Sequence, residues 1–206
     1  MTQEFSTDPQ TADGFDKVCH DLKQSIATGL LLSDPGVTRD VDTGTQRRLA
    51  LLHQQWEDVA ALVGVLNGDL AAQTQHVDVA EIAAACVDAA RATRDVVLDV
   101  DGRDHMVWGD RVLLRRAVGN LLDNACRATT PADQIVVRVG SHGPETWVEV
   151  TDDGPGFGQI PSGTGLGLEV VRAAVWAAGG RLRIETGPRD GTSIRLTFPA
   201  ALRAVS

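Results

Sequence analysis

From Phe15 onward, apolar side chains recur every three or four residues, at Phe15, Cys19, Leu22, Ile26 and Leu30. This spacing predicts one face of a helix, and Ser33, Asp34, Pro35 and Gly36 supply its stop signals. A second run, Leu49, Leu52, Trp56, Val59, Val63 and Leu66, steps alternately by three and four, the seam of a coiled coil or an antiparallel helical pair. Together the two runs predict an N-terminal helical hairpin over residues 14–75. A hairpin of about 55 residues cannot bury so broad a stripe alone. The expected solution is a dimeric four-helix bundle, two copies joined as a symmetric homodimer. Residues 1–13 are polar and aperiodic and are expected to form a disordered tail.

The pattern changes after Asn67-Gly68. Residues 79–93 and 110–128 carry helical periodicity, and a further helix is expected from about Gly165 to Ala178. Val96–Val100 is expected to be extended. Ile135–Val139, Thr146–Thr151, Arg181–Thr186 and Ser193–Phe198 alternate apolar and polar positions as half-buried strands do. Strands without regular β-α-β alternation predict an α+β sandwich over residues 76–206, a mixed sheet with helices on one face.

Composition narrows the function. The 206 residues carry 28 acidic and 19 basic side chains, a net charge of −9, so the chain lacks the basic footprint that nucleic acid or an anionic membrane surface attracts. Its longest apolar run, Val59–Leu66, is far below the ~20 residues that span a bilayer, and the acidic N-terminus does not resemble a secretory signal. The expectation is a cytoplasmic protein with no membrane segment and no nucleic-acid partner. Cys19, Cys86 and Cys126 form an odd set with no paired spacing, which fits reduced, buried small residues.

Three glycine-bearing segments stand out: Asp152-Asp153-Gly154-Pro155-Gly156, then Gly163-Thr164-Gly165-Leu166-Gly167, then Gly191-Thr192. Each fits an ordinary turn. The second also opens a helix, where bare backbone N–H groups can cradle a phosphate, although it has neither the Rossmann nor the P-loop spacing. Strand parity separates the two aspartates: Asp152 continues the face of Val148 and Val150 while Asp153 points away. A carboxylate aimed at the apolar side is costly without a donor, and the exocyclic amine of adenine would be one. Thr192 shares the face of Ile194, Leu196 and Phe198, so its hydroxyl is a candidate for the same pocket. On the helix 110–128, Asn120, Asn124 and Arg127 share one face opposite Leu114, Val118, Leu121, Leu122 and Ala125. Taken alone that face reads first as solvated surface, and otherwise as oxygen ligands for magnesium followed by a phosphate donor.

The ordered set Asn120-Leu-Leu-Asp-Asn124-Ala-Cys-Arg127, Asp152-Asp-Gly154-Pro-Gly156, Gly163-Thr-Gly165-Leu-Gly167 and Gly191-Thr192 resembles the N, G1, G2 and G3 elements of the histidine-kinase ATP-binding domain. That domain has the Bergerat fold shared with gyrase, Hsp90 and MutL. The resemblance implies ATP with Mg2+: Asp152 on adenine, Asn120 and Asn124 at the metal and phosphates, and Arg127 near phosphate. Gly154, Gly156, Gly163, Gly165, Leu166, Gly167 and Thr192 would shape the lid and cradle. Cys19-His20-Asp21-Leu22-Lys23-Gln24 similarly resembles the phospho-acceptor box of the dimerisation and histidine-phosphotransfer hairpin. His20 and Gln24 fall about 140 and 180 degrees around the helix from Phe15, against about 20 for the apolar stripe, so both are expected to be exposed. His53, His76, His105 and His142 lack this context.

The chemistry implied is attack of a neutral His20 nitrogen on the γ-phosphoryl, with Asp21 orienting the ring or taking its proton. Gln24 stands where the family often has a threonine or asparagine that positions water. Relatives of this fold that hydrolyse ATP carry a glutamate base at position 120, and Asn120 cannot act as one. The implied function is a protein-histidine kinase of a two-component system, with a response regulator as partner. A separate sensor protein is a further candidate partner, because the sequence contains no recognisable sensor module. Only six residues separate Gly156 from Gly163, and so short a lid predicts weaker nucleotide retention. It favours one alternative, a histidine phosphotransferase or adaptor that relays phosphate without ATP; a Bergerat ATPase or protein-binding switch in which His20 is incidental is a further alternative.

Overall fold

The structure, a computed structural model, describes residues 22–34, 42–66, 74–156, 166–186 and 191–201. The chain divides into two compact units, Met1–Asn67 and Gly68–Ser206.

In the smaller unit, residues 22–33 (α1) and Thr43–Leu66 (α2) are helical. Asp42 starts α2 by accepting the N–H groups of Gly44 and Thr45 at 2.9 and 3.1 Å. The helices touch where Gly29 faces the Trp56 ring, which lies 2.2 Å from where a Cβ on Gly29 would sit. One turn further on, Ser33 Oγ meets His53 Nδ1 at 3.2 Å. The contacts rise along α1 as they fall along α2, so the pair is antiparallel. Ile26 and Val63 are buried, but Leu22, Leu31, Leu32, Leu51 and Leu52 are exposed. Leu22 and Leu52, expected in the apolar seam, are therefore uncovered within one chain.

The larger unit is α+β, with a mixed five-stranded sheet in the order β2-β4-β5-β7-β6. Its strands are Val96–Val100 (β2), Ile135–His142 (β4), Glu145–Asp152 (β5), Arg181–Thr186 (β6) and Thr192–Pro199 (β7). β2 runs parallel to β4 and the remaining pairs are antiparallel. Helices Val79–Ala90 (α3), Arg111–Ala128 (α4) and Leu166–Ala177 (α5) pack on the sheet. Two short strands, Gln75–Asp78 (β1) and Met106–Gly109 (β3), form a separate antiparallel pair. The sequence pattern did not predict them: each is four residues long with little alternation, and they pair across some thirty residues.

Register sorts the sheet into rows. Val137, Val150, Ile194 and Ile184 form one helix-facing row and Val139, Val148, Leu196 and Leu182 the next. Leu113, Leu114, Ala117, Val118, Leu121, Leu122 and Ala125 of α4 are buried with them; each large aliphatic side chain so buried contributes about 1.5–3 kcal/mol. The row beyond consists of Ile135, Asp152, Thr192 and Thr186, so polar groups replace apolar ones at one end of the core. The opposite sheet face is solvated: Glu149 pairs with Arg195 at 3.0 Å and Arg138 at 3.8 Å, while Arg195 lies over the Trp147 ring.

Asp110 caps α4 by accepting the N–H groups of Val112 and Leu113 at 2.8 and 3.0 Å. At the end of α5, Gly179 adopts φ +66° and Gly180 N donates to Val175 O at 2.8 Å. Cys86 is buried and Cys126 half-buried, both free; Cys19 lies outside the described residues. No helix among the described residues is long and apolar enough to cross a membrane.

Thr146 is fully buried on β5 and its hydroxyl oxygen has no hydrogen-bond partner. Thr146→Val keeps the shape and removes the unsatisfied group, so it should stabilise the larger unit by about 1 kcal/mol. Urea unfolding of the two proteins side by side checks this, with a higher midpoint expected for the variant.

Candidate functional site

Asp152 is the last residue of β5, and strand parity turns it toward the helices, as its register with Val150 and Val148 requires. It is only 6% exposed. Its Oδ1 accepts the Gly154 N–H at 3.0 Å. Burial pushes its carboxyl above the ordinary aspartate range, and nearby Asp153 and Asp133 push the same way, while backbone N–H groups of Gly154 and Thr192 pull it down. Among the described residues no basic side chain pairs with it. A buried carboxylate with acceptor capacity to spare suits a ligand that brings a donor.

Two glycines approach it closely. Gly191 has φ +72°, and a Cβ there would lie 1.7 Å from the Asp152 carbonyl oxygen. A Cβ on Gly154 would lie 2.8 Å from Asp152 Oδ1 and 3.0 Å from Ala128 O. Both positions therefore require glycine. Gly156, buried with φ +95°, turns the chain onward. Thr192 is buried directly across from Asp152. Asp153, on the opposite parity, is exposed and ties down the strand end by donating its N–H to Gln134 O at 3.2 Å.

Helix α4 supplies a second wall. Asn120 is 6% exposed, its Nδ2 donating to Gly167 O at 3.4 Å near the start of α5. Asn124 is half-buried and Arg127 exposed, with Arg127 Nη2 donating to Asn124 Oδ1 at 2.5 Å. The shared face is thus graded from buried to solvated. Leu166 begins α5, half-buried. A Cβ on Gly167 would meet Asn120 at an ordinary 3.5 Å, so local packing alone does not demand glycine there. Gly163, Gly165, His20 and Asp21 lie outside the described residues. Gln24 is exposed on α1.

Two supporting residues escaped the sequence reading. Arg94 Nη2 donates to Cys126 O at 3.2 Å and Thr129 O at 2.9 Å, capping the carbonyl end of the helix that carries Asn124 and Arg127. Asp133 closes the following loop by accepting from Thr130 N at 2.7 Å. The Arg94 contacts span 32 and 35 residues, and no local motif announces them.

Among the described residues no group of histidine, cysteine, aspartate or glutamate side chains could hold a metal ion. The amide oxygens fit a different role. Asn124 Oδ1 already accepts from a cationic guanidinium, and hard oxygen donors of this kind complete a Mg2+ shell whose other ligands are phosphate and water.

Residues 109–202 match the model of the histidine kinase-, DNA gyrase B- and HSP90-like ATPases. A mycobacterial sensor histidine kinase, MprB, is 31% identical in its solved structure; the superposition covers 97% of that chain and 61% of this one, with a TM-score of 0.54. The chain belongs to the histidine kinase family of these ATPases. The signal transduction histidine-protein kinase/phosphatase MprB of Mycobacterium ulcerans (strain Agy99) is 32% identical over 173 residues, covering 70% of this chain. The MprB of Mycobacterium avium (strain 104) is 29% identical over 206 residues, covering 86%. The chain spans 34% and 40% of the lengths of these two relatives. The Acinetobacter baumannii histidine kinase AdeS shares the fold at 20% identity, with a TM-score of 0.62 over 89% of this chain.

The raised Asp152 pKa ties stability to pH. A carboxyl that holds its proton more tightly folded than unfolded subtracts stability above its folded pKa, and the loss fades as pH falls toward the unfolded value. Asp152→Asn should therefore raise the melting temperature at pH 7, and this gain should shrink as pH is lowered through the raised pKa. The same variant should lose adenine-nucleotide binding; thermal melts across pH with a nucleotide titration measure both. Gly191→Ala forces both the positive φ and the Asp152 contact, and is expected to cost about 2–4 kcal/mol in the same melts.

Proposed function

We propose that the protein is a homodimeric histidine-kinase core of a two-component system, which uses Mg2+-ATP to phosphorylate His20 and passes the phosphoryl group to an aspartate of a response regulator. The observation that carries this reading is the buried, unpaired Asp152 carboxylate walled by Gly154 and Gly191, together with an amide at position 120. Adenine's exocyclic amine would add a donor to the backbone N–H groups that Asp152 already accepts from. Asn120 and Asn124 offer oxygens to Mg2+, which neutralises charge on the phosphates when bound, and Arg127 offers a donor to phosphate. Backbone N–H groups at the start of α5, after Gly163 and Gly165, suit the phosphates.

In the transfer, the neutral imidazole nitrogen of His20 forms a bond to the γ-phosphorus as the bond to the β–γ bridging oxygen breaks. ADP leaves with that electron pair, and Asp21 takes the ring proton. Gln24, exposed on α1 and four residues after His20 in the chain, is suited to orient water against the phosphorylated regulator. The domain assignment is a hairpin over residues 14–75 and an ATP-binding domain over 76–206. Leu22, Leu31, Leu32, Leu51 and Leu52, exposed on a single copy, support a dimer in which a second hairpin covers them. Regulation by a separate sensor protein would act on this core.

One observation favours a second reading. The six-residue link between Gly156 and Gly163 leaves little chain to close over a nucleotide, as a relay that does not use ATP would tolerate.

Incubation with γ-labelled Mg2+-ATP should give acid-labile, base-stable label on the chain that disappears in His20→Ala. Asn120→Ala should reduce the label by about 100-fold or more, as expected when an electrostatic ligand of the transferring group is removed. Label that survives in His20→Ala would place the acceptor elsewhere. A dimeric, folded protein that takes no label would favour the relay.

A further inference from the structure

Arg127 stands on the last turn of α4 with its guanidinium fixed at two points of its own helix. Nε donates to the Asp123 backbone carbonyl at 3.2 Å, and Nη2 donates to Asn124 Oδ1 at 2.5 Å. These donors lie on one rigid planar fork, so the contacts reinforce each other and are released together. The side chain is exposed, and Asn124 half-buried, so release requires a rotamer change and no movement of the helix.

The oxygen that Arg127 occupies is one of the two amide oxygens suited to Mg2+. A guanidinium and a divalent cation compete for it: the amide oxygen has two lone pairs, but two cations held on one atom repel at such short range. The geometry points to Arg127 as a built-in latch on the metal ligand. With the site empty, the guanidinium holds Asn124 Oδ1; metal entry displaces it, and the freed side chain swings to the nucleotide phosphates. This inference rests on the reading of the site as a Mg2+-nucleotide site and adds an exchange between two cations. Its consequence is thermodynamic. Because the latch and the metal compete at Asn124, the latch lowers the apparent metal affinity by the free energy of that competition. A helix-surface residue three positions from a metal ligand would then make nucleotide retention respond to Mg2+ more weakly than the ligands alone would allow.

The test separates charge from latch by using Arg127→Lys, which keeps the positive charge but has no forked pair of donors to bridge Asp123 O and Asn124 Oδ1. Wild type and variant are titrated as full chains with the imido-bridged ATP analogue AMP-PNP at stepped Mg2+ concentrations. Loss of the latch should lower the Mg2+ concentration giving half of the affinity gain by about three- to tenfold, the worth of an ordinary hydrogen bond, because solvent exposure screens the charge. An unchanged midpoint overturns the latch and leaves the nucleotide site standing. A wild type that binds no analogue at any Mg2+ concentration overturns both. A second measurement follows the Arg127 Nε–Hε resonance in 15N-labelled protein, assigned by its absence in Arg127→Lys. Asn124→Ala should shift it in the ligand-free protein, and AMP-PNP with Mg2+ should shift it further than AMP-PNP in chelator. Equal responses with and without metal overturn the exchange.

Discussion

The Asp152 carboxylate sits where the apolar rows of the sheet give way to polar ones, and the larger unit is arranged around the cost of keeping it there. Withdrawing a carboxylate from water disfavours its charged form, and the protein answers with backbone N–H groups instead of a cationic side chain. That choice keeps the site short of positive charge and leaves an acceptor facing inward. It also constrains the neighbours. Gly154 approaches one oxygen, Gly191 approaches the carbonyl, and neither position has space for a methyl group. The turn after β5 and the entry to β7 are thus built from glycine by contact with one residue.

Helix α4 relates this acidic corner to the rest of the site. One side of it is apolar and locked into the sheet by Leu114, Val118, Leu121 and Ala125. The other carries Asn120, Asn124 and Arg127 in order of rising exposure. The gradient follows from the packing of α5, which covers the middle of the helix at Asn120 through Gly167 and leaves the last turn open. Arg94 then holds that last turn by its carbonyl oxygens, while Ala128 O abuts Gly154. Position along one helix therefore sets how far each polar side chain is from water.

What was legible in the sequence depended on whether the relevant force was local. The strands from β4 to β7 announced themselves because one face is buried and the other solvated, so alternation is enforced residue by residue. The same parity placed Asp152 inward and Asp153 outward. β1 and β3 lacked that signal because each buries too little to impose a pattern. The burial of Asn120 was not readable either, since helical periodicity assigns it to a polar face and only the α5 contact covers it. Gly191 looked like an ordinary turn glycine beside Thr192, because its real constraint, the Asp152 carbonyl, lies 39 residues away in the chain. In the hairpin the period predicted the helices, yet Leu22 and Leu52 face solvent in a single copy; a periodic stripe reports that something must cover it without saying whether the same chain does.

Phosphoryl transfer needs a proton acceptor for the attacking group, and α4 presents a buried amide where a hydrolytic relative of this fold would present a carboxylate. An amide holds metal and phosphate oxygens without accepting a proton at neutral pH, so a nucleotide bound beside it is protected from activated water. On the proposed function Asp152, the buried acid of this corner, is held by the Gly154 N–H and taken up with the adenine base. The proton acceptor for transfer must then come with the nucleophile. Asp21, next to His20 in the chain, meets that requirement. On the proposed function, the ATP-binding domain is a holder whose chemistry stays switched off until the hairpin delivers a nucleophile and its base together.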